Sequence, residues 1–229
     1  MIDFGLTTVL ALGLVLGMKH ALEADHVVAV STIVSRDQSI RGASVIGAFW
    51  GAGHTLSLFL VGGGILALKI SIIPRVALAM EMAVGIMLVF LGGMVAAGLI
   101  RDHFHIHVHQ HGGQAHTHLH AHTADEPHVH SHAIRRGYHS LAVGMVHGLA
   151  GSAALMLLVV SAIGSPMEGV LYLVFFGLGS ILGMMAVSAL ISLPFVYSSV
   201  RFSGLNRVVT ATASLASISL GTFLVYDIG

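Results

Sequence analysis

The chain of 229 residues contains no cysteine and few charged residues. Without cysteine it can form neither a disulfide nor a thiolate metal site. Only 9% of its residues are charged, whereas a soluble domain usually carries about 25%. In addition, 55% of the residues are hydrophobic and the mean hydropathy is +0.91. These values exclude an ordinary soluble domain and indicate an integral membrane protein, with the lipid bilayer as its surroundings.

An excess of charge of one sign is also missing. Basic and acidic residues number 10 each, so the formal net charge is +0. Because no basic surface is available to meet phosphates, we do not expect nucleic acid as a partner. The first residues, MIDFG, contain no basic segment and no small-residue cleavage site, so a removable signal peptide is not expected.

Long apolar runs divide the chain, and each is near the roughly 20 residues that a membrane-spanning helix needs. Six helical spans are predicted, at residues 4–34, 43–68, 74–99, 139–163, 168–193 and 205–226. The first would be about 46 Å long as a straight helix, whereas the hydrocarbon core is about 30 Å thick. It is therefore expected either to tilt strongly or to be broken.

Three short motifs recur in the same order in the two halves of the chain. The matches are GMKHAL at 17–22 with GMVHGL at 144–149, FWGAG at 49–53 with FFGLG at 175–179, and LGG at 91–93 with SLGT at 219–222. Since three spans per half is an odd number, the second half would enter the membrane from the opposite side. The sequence thus predicts an all-α integral membrane protein of two inverted three-helix repeats, at residues 1–100 and 139–229, joined by a His-rich loop at 101–138.

Basic residues predict how the chain is oriented in the cell membrane. Loops after the first, third and fifth spans contain Arg36, Arg41, Arg101, Arg135, Arg136, Arg201 and Arg207, whereas the other side has only Lys69 and Arg75. Because cytoplasmic loops carry the excess of lysine and arginine, the His-rich loop is predicted to be cytoplasmic and both termini external.

Polar residues interrupt the first apolar span, where His20, Glu23, Asp25 and His26 follow one another. An ionised residue at the centre of a membrane helix costs about 2.5–3.5 kcal/mol, so such residues usually mark a functional site. Imidazole nitrogen and carboxylate oxygen without sulfur suit Ni, Co, Zn or Fe(II) better than Cu(I) or Mg. A plainer interpretation is helix capping with an ion pair between Lys19 and Glu23.

Helix geometry limits how this cluster can bind an ion. In a straight helix Asp25 would point about 100° away from His26 and about 140° away from His20. Only a local unwinding would bring the three side chains to one ion, and broken helices are tolerated at membrane depth where they line a cavity.

The second span offers a further imidazole. Gly47 and Gly51 form a G-x-x-x-G face, which permits close helix approach, and His54 follows on nearly the same side. His54 could instead be a buried hydrogen-bonding group between helices.

Two more residues are candidates for the same site. His147 occupies the repeat position of His20, and Glu81 is the only carboxylate of the third span. The alternatives are a buried hydrogen bond for His147, and for Glu81 an interfacial position or a pair with Arg75.

Most of the 17 histidines lie in the predicted loop, namely His103, His105, His107, His109, His111, His116, His118, His120, His122, His128, His130 and His132. Low-complexity histidine tracts bind transition metals loosely, so we predict an auxiliary metal-binding loop without a fold of its own. The alternative is a solvated linker that responds to pH.

HALEADH at 20–26 resembles the H-x4-D-H signature of the nickel/cobalt transporter family, with His20, Asp25 and His26 at its fixed positions. FWGAGHT, which contains His54, is similar to the second signature of that family. HGLAGSAALMLL is similar to the urease-accessory branch of the same superfamily, and the resemblance covers most of the membrane part. It implies transport of Ni²⁺ or Co²⁺ across the cytoplasmic membrane, with the first motif essential for metal recognition.

We therefore expect uptake of Ni²⁺ or Co²⁺ by alternating access, with the ion as transported substrate, no organic cofactor and no enzymatic reaction. The predicted ligands are His20, Asp25, His26 and His54. The residues predicted to orient these ligands or relay protons are Glu23, His147 and Glu81. Three alternatives remain open: nickel or cobalt efflux for metal resistance, a membrane metalloenzyme such as a di-iron hydroxylase, and a metal-sensing module centred on the His-rich loop.

Deletion of residues 103–132 separates the transporter from the sensing module. We expect metal transport to survive with an altered dependence on metal concentration, because the loop is not part of the predicted path. Complete loss of transport by the deleted variant, at normal membrane expression, would favour the sensing module.

Overall fold

The computed structural model describes residues 4–35, 39–68, 73–101, 106–111, 114–119, 133–149, 165–201 and 203–229. Their helices and strands are α1 Phe4–His20, α2 Ala24–Val34, α3 Ile40–Leu68, α4 Pro74–Arg101, β1 Ile106–His111, β2 Gln114–Leu119, α5 Ala133–Gly148, α6 Pro166–Arg201 and α7 Ser203–Ile228. Apart from the short β1–β2 ribbon, the described chain is helical, as the sequence predicts.

Length and apolar composition identify the spans. Helices α3, α4, α6 and α7 are each long and apolar enough to cross a membrane, and α1 with α2 would add a fifth span as one bent pair. Large apolar side chains such as Leu60, Phe90 and Phe223 are exposed on the outside, where lipid tails would cover them. The protein is therefore a multi-pass membrane protein.

The first predicted span is broken at its polar cluster. Helix α1 ends at His20, α2 begins at Ala24, and their axes differ by 56°. The turn between them is closed by the N–H of Leu22, which donates to Lys19 O at 2.9 Å, and by the N–H of Glu23, which donates to His20 O at 3.0 Å. A break, one of the two outcomes expected from the length of this span, is thus confirmed.

The structure describes only the first part of the fourth predicted span. Helix α5 ends at Gly148, and Leu149 lies in a turn whose N–H donates to Val146 O at 3.2 Å. The rest of that predicted span, 150–163, lies outside the described residues. The predicted span is thus helical from 139 to Gly148, and its continuation stays a prediction.

Helix α6 packs against both α1 and α3, α3 also packs against α5, and α4 packs against α7. Glycines permit these close approaches, because lipid provides no hydrophobic drive between helices and packing must supply the contact. A Cβ atom on Gly53 would overlap Leu141 O of α5, and one on Gly179 would overlap Leu14 O of α1. The backbones themselves thus meet at these positions.

The predicted G-x-x-x-G face lies against α6. A Cβ on Gly47 would overlap the Ser188 side chain, and a Cβ on Gly51 would lie 2.7 Å from Ile181 Cα. Close helix approach through this face is confirmed.

Part of the His-rich loop forms an antiparallel ribbon. His107 lies opposite His118, and His109 lies opposite His116. The prediction of a segment without secondary structure is wrong for these strands, because H-x-H alternation has the two-residue period of a β-strand. The other loop histidines, His103, His105, His120, His122, His128, His130 and His132, lie outside the described residues, and metal binding by the loop remains a prediction.

Two adjacent glycines of α4 test the importance of backbone approach. A Cβ on Gly92 would lie 2.6 Å from Ser214 O, whereas one on Gly93 would have nothing within 4 Å. We expect Gly92→Ala to lower the free energy of unfolding by about 1–3 kcal/mol through overpacking. Gly93→Ala is the matched control and should leave stability unchanged or slightly raised, because alanine favours helix. Thermal unfolding in detergent measures both, and an equal loss of stability in the two variants would contradict this packing.

Candidate metal centre

Four histidines meet beside the break between α1 and α2. His20 ends α1, His26 lies in the first turn of α2, His54 comes from α3 and His147 from the last turn of α5. Each is at most 4% exposed. The break is what allows this meeting, since it turns His26 back toward His20 until their ring centroids lie 4.3 Å apart.

One group consists of imidazoles alone. The ligand nitrogens of His20, His26 and His54 all lie within 4.8 Å of one another, and Nε2 of His20 lies 3.0 Å from Nε2 of His54. This contact is a hydrogen bond when one of the two nitrogens carries the proton. If both carry lone pairs, the two nitrogens are spaced to bind a common cation.

A second group contains a carboxylate. The ligand atoms of Asp25, His26 and His147 also lie within 4.8 Å of one another. Nδ1 of His26 donates to Asp25 Oδ1 at 3.0 Å, and Nε2 of His147 donates to Asp25 Oδ2 at 2.9 Å. Both oxygens of one carboxylate are therefore engaged by imidazoles, one from each half of the chain.

Carboxylates also determine which imidazole nitrogen keeps a lone pair that can bind a metal ion. Glu23 Oε1 lies 2.9 Å from Nδ1 of His20. A proton held on Nδ1 by a carboxylate leaves Nε2 with its lone pair, the arrangement usual for metal-binding histidines. By this rule Glu23 frees Nε2 of His20, and Asp25 frees Nε2 of His26.

Several buried nitrogens lack hydrogen-bond partners among the described residues. They are Nε2 of His26, Nδ1 of His54 and Nδ1 of His147. Leaving a buried polar atom unpaired costs about 1–3 kcal/mol, and a cation bound at Nε2 of His26 would offset that cost for this nitrogen. The donor set thus fits a divalent transition metal of the nickel or cobalt type, which takes imidazole and carboxylate ligands.

Aromatic rings enclose the histidines. The Phe176 ring lies 5.7 Å from that of His20, and the Trp50 ring lies 5.6 Å from that of His147 and 6.2 Å from that of His26. Trp50, which is not among the predicted site residues, thus lies in the wall of the site. Its position four residues before His54, on the same helix face, was the available signal.

The structure brings together most of the predicted site residues, but not as a single set. His20, His26 and His54 form one group. Asp25 touches His26 but belongs to the group that includes His147, a residue predicted only to assist. Glu23 contacts His20, and its role as a residue that orients a ligand stays a prediction. Glu81 is half-buried on α4 and belongs to neither group.

Comparison with known proteins adds a relation over nearly the whole chain. The chain is 38% identical over 224 residues to the urease accessory protein UreH of Bacillus sp. (strain TB-90), an alignment covering 98% of this chain and 93% of that protein. No protein-family model matches the chain, and neither does any solved structure. The resemblance to urease-accessory membrane proteins noted in HGLAGSAALMLL is thereby confirmed. At this identity and coverage, the chain belongs to the family of the urease accessory protein UreH.

Proposed function

We propose that the protein is a member of the nickel/cobalt transporter superfamily that takes up Ni²⁺ or Co²⁺ across the cell membrane. The observation that carries this proposal is the group of buried imidazoles at a helix break inside an apolar bundle. Ionisable groups at such a position usually line the path of a substrate. The relative is named for an accessory role to urease, a nickel enzyme. This name favours nickel as the transported ion and uptake into the cell as the direction.

The two carboxylates provide the approach to the site. Asp25 and Glu23 are 30% and 46% exposed, whereas the histidines they contact are buried. A hydrated cation would first meet these acidic groups and then exchange water for imidazole nitrogen. Because neutral imidazoles add no charge, the ion could be stripped of water without being held too tightly to leave.

An inverted repeat would place this site where the two halves meet. Matched contacts support such a repeat: Gly53 meets Leu141 O as Gly179 meets Leu14 O. The motif alignment makes Gly53 the counterpart of Gly179, and Leu14 the counterpart of Leu141. One contact is therefore the repeat image of the other.

The histidines and turns follow the same relation. The ring centroids of His20 and Phe176 lie 5.7 Å apart, and those of His147 and Trp50 lie 5.6 Å apart. In the motif alignment His147 is the counterpart of His20 and Trp50 that of Phe176, so the two contacts are equivalent. Turns after both histidines are closed by equivalent bonds, at Leu22 and Leu149. We infer two halves that each interrupt a helix at the site, six crossings in all, and alternating access by movement between the halves.

Substitution of the buried imidazoles tests transport. His26→Ala and His54→Ala should abolish accumulation of radioactive nickel in cells at normal membrane expression, because each removes a nitrogen that replaces water around the ion. His139→Ala, which changes an exposed histidine of α5, is the matched control and should transport normally. Wild-type expression should make cells more sensitive to nickel, whereas protection would identify efflux. Normal accumulation by both site variants would refute the proposed path.

The only tryptophan reports directly on binding. Trp50 is fully buried beside His26 and His147. Ni²⁺ and Co²⁺ have partly filled d shells that quench a nearby indole, whereas Zn²⁺ has a filled shell. We expect saturable quenching of the purified protein by Ni²⁺ or Co²⁺, little by Zn²⁺, and none that saturates in His26→Ala. Identical quenching of wild type and His26→Ala would place the ion elsewhere.

A further inference from the structure

The residues around His26 form two sets of three possible ligands, and His26 is the one residue that the two sets share. The imidazole triad is His20, His26 and His54, and the carboxylate triad is Asp25, His26 and His147. We propose that these are two overlapping cation sites that share His26, and that a Ni²⁺ or Co²⁺ ion passes from one to the other during transport. This inference rests on the proposed function and extends it to a second site that includes His147.

The two ring nitrogens of His26 have different surroundings, and we infer that each serves one triad. Its Nδ1 lies 3.0 Å from Asp25 Oδ1, and Nε2, on the opposite side of the ring, has no hydrogen-bond partner among the described residues. A neutral imidazole carries one N–H and one lone pair, so His26 serves one triad at a time. The cluster therefore holds one ion at a time and offers it two positions.

His147 is placed as a ligand rather than as a distant support. Its ring centroid lies 4.1 Å from that of His26, closer than the 5.1 Å between His54 and His26. Its Nε2 is 2.9 Å from Asp25 Oδ2, while its Nδ1 is buried and unpartnered among the described residues. The carboxylate triad thus has the same closeness and burial of imidazoles as the other set.

The two triads differ in chemistry in a way that suits transfer. The carboxylate triad has a partly exposed oxygen donor, whereas the imidazole triad consists of buried nitrogen donors. A hydrated ion enters or leaves more easily where an exposed carboxylate remains in contact with water. The buried triad holds the same ion with more of its water removed. Rings of His54 and His147 are 6.3 Å apart, so the transfer is short.

Cobalt spectroscopy on the purified full-length protein in detergent tests this arrangement. The visible absorption of Co²⁺ depends on its ligands, so each triad should give its own spectrum. His54→Ala and His20→Ala each remove only the imidazole triad and should still bind one Co²⁺. His147→Ala removes only the carboxylate triad and should also bind one Co²⁺, with a different spectrum. His26→Ala should bind none, and His139→Ala should match wild type.

Transport by the same variants completes the test. His54→Ala and His147→Ala should both bind cobalt yet lose nickel accumulation, because an ion with one position cannot be passed on. Loss of cobalt binding in folded His54→Ala and His20→Ala, with wild type binding normally, would overturn the second site. Cobalt binding by His147→Ala that is weakened by about 10–100-fold, with an unchanged spectrum, would make His147 a residue that orients a ligand and would also overturn it.

Failure of the proposed function has a different signature. If the variants show that cobalt can bind at either triad but expressing cells show no nickel movement in either direction, transport fails and the two sites stand. If wild type binds no cobalt, both proposals fall together.

Discussion

The break between His20 and Ala24 is the feature on which the arrangement of the site depends. A straight helix would spread His20, Asp25 and His26 around its circumference, whereas the 56° bend brings the two histidine rings to 4.3 Å. Such an interruption is tolerated inside a membrane only where the freed backbone groups and polar side chains meet protein rather than lipid. Here α6 meets the turn, since a Cβ on Gly183 would lie 2.9 Å from Ala21 Cβ, while α3 and α5 contribute His54 and His147.

Close helix packing makes that enclosure possible. Where Gly53 meets Leu141 O, α3 and α5 approach until their backbones touch, and their histidines are thereby held within reach of the broken helix. Larger residues would separate the helices and open the site to lipid. Gly53 thus helps to form the proposed metal centre, although it contributes no ligand atom. The aromatic rings of Phe176 and Trp50 lie beside His20 and His147.

Much of this could be predicted from the sequence, and the exceptions have physical causes. Composition and apolar length predicted the membrane class and left two outcomes for the first span, a strong tilt or a break, of which the structure has the break. The polar cluster led us to expect His20, His26 and His54 close together, and their ligand nitrogens lie within 4.8 Å of one another. The grouping of Asp25 with His147 could not be predicted, because helical angles measured on a straight helix do not apply across an unwound turn. The end of α5 at Gly148 was missed since apolar composition continues without change beyond it. The β-ribbon was missed because composition was given more weight than the two-residue alternation of histidine.

Asp25 joins the two halves of the chain through a single side chain. Its Oδ1 is bound by His26 of the first half and its Oδ2 by His147 of the second. Movement of α5 away from α2, as alternating access would require, must therefore break the 2.9 Å contact between Asp25 and His147. In the proposed transport cycle, a cation that binds the same carboxylate oxygen would release this contact, so movement between the halves would follow loading of the ion.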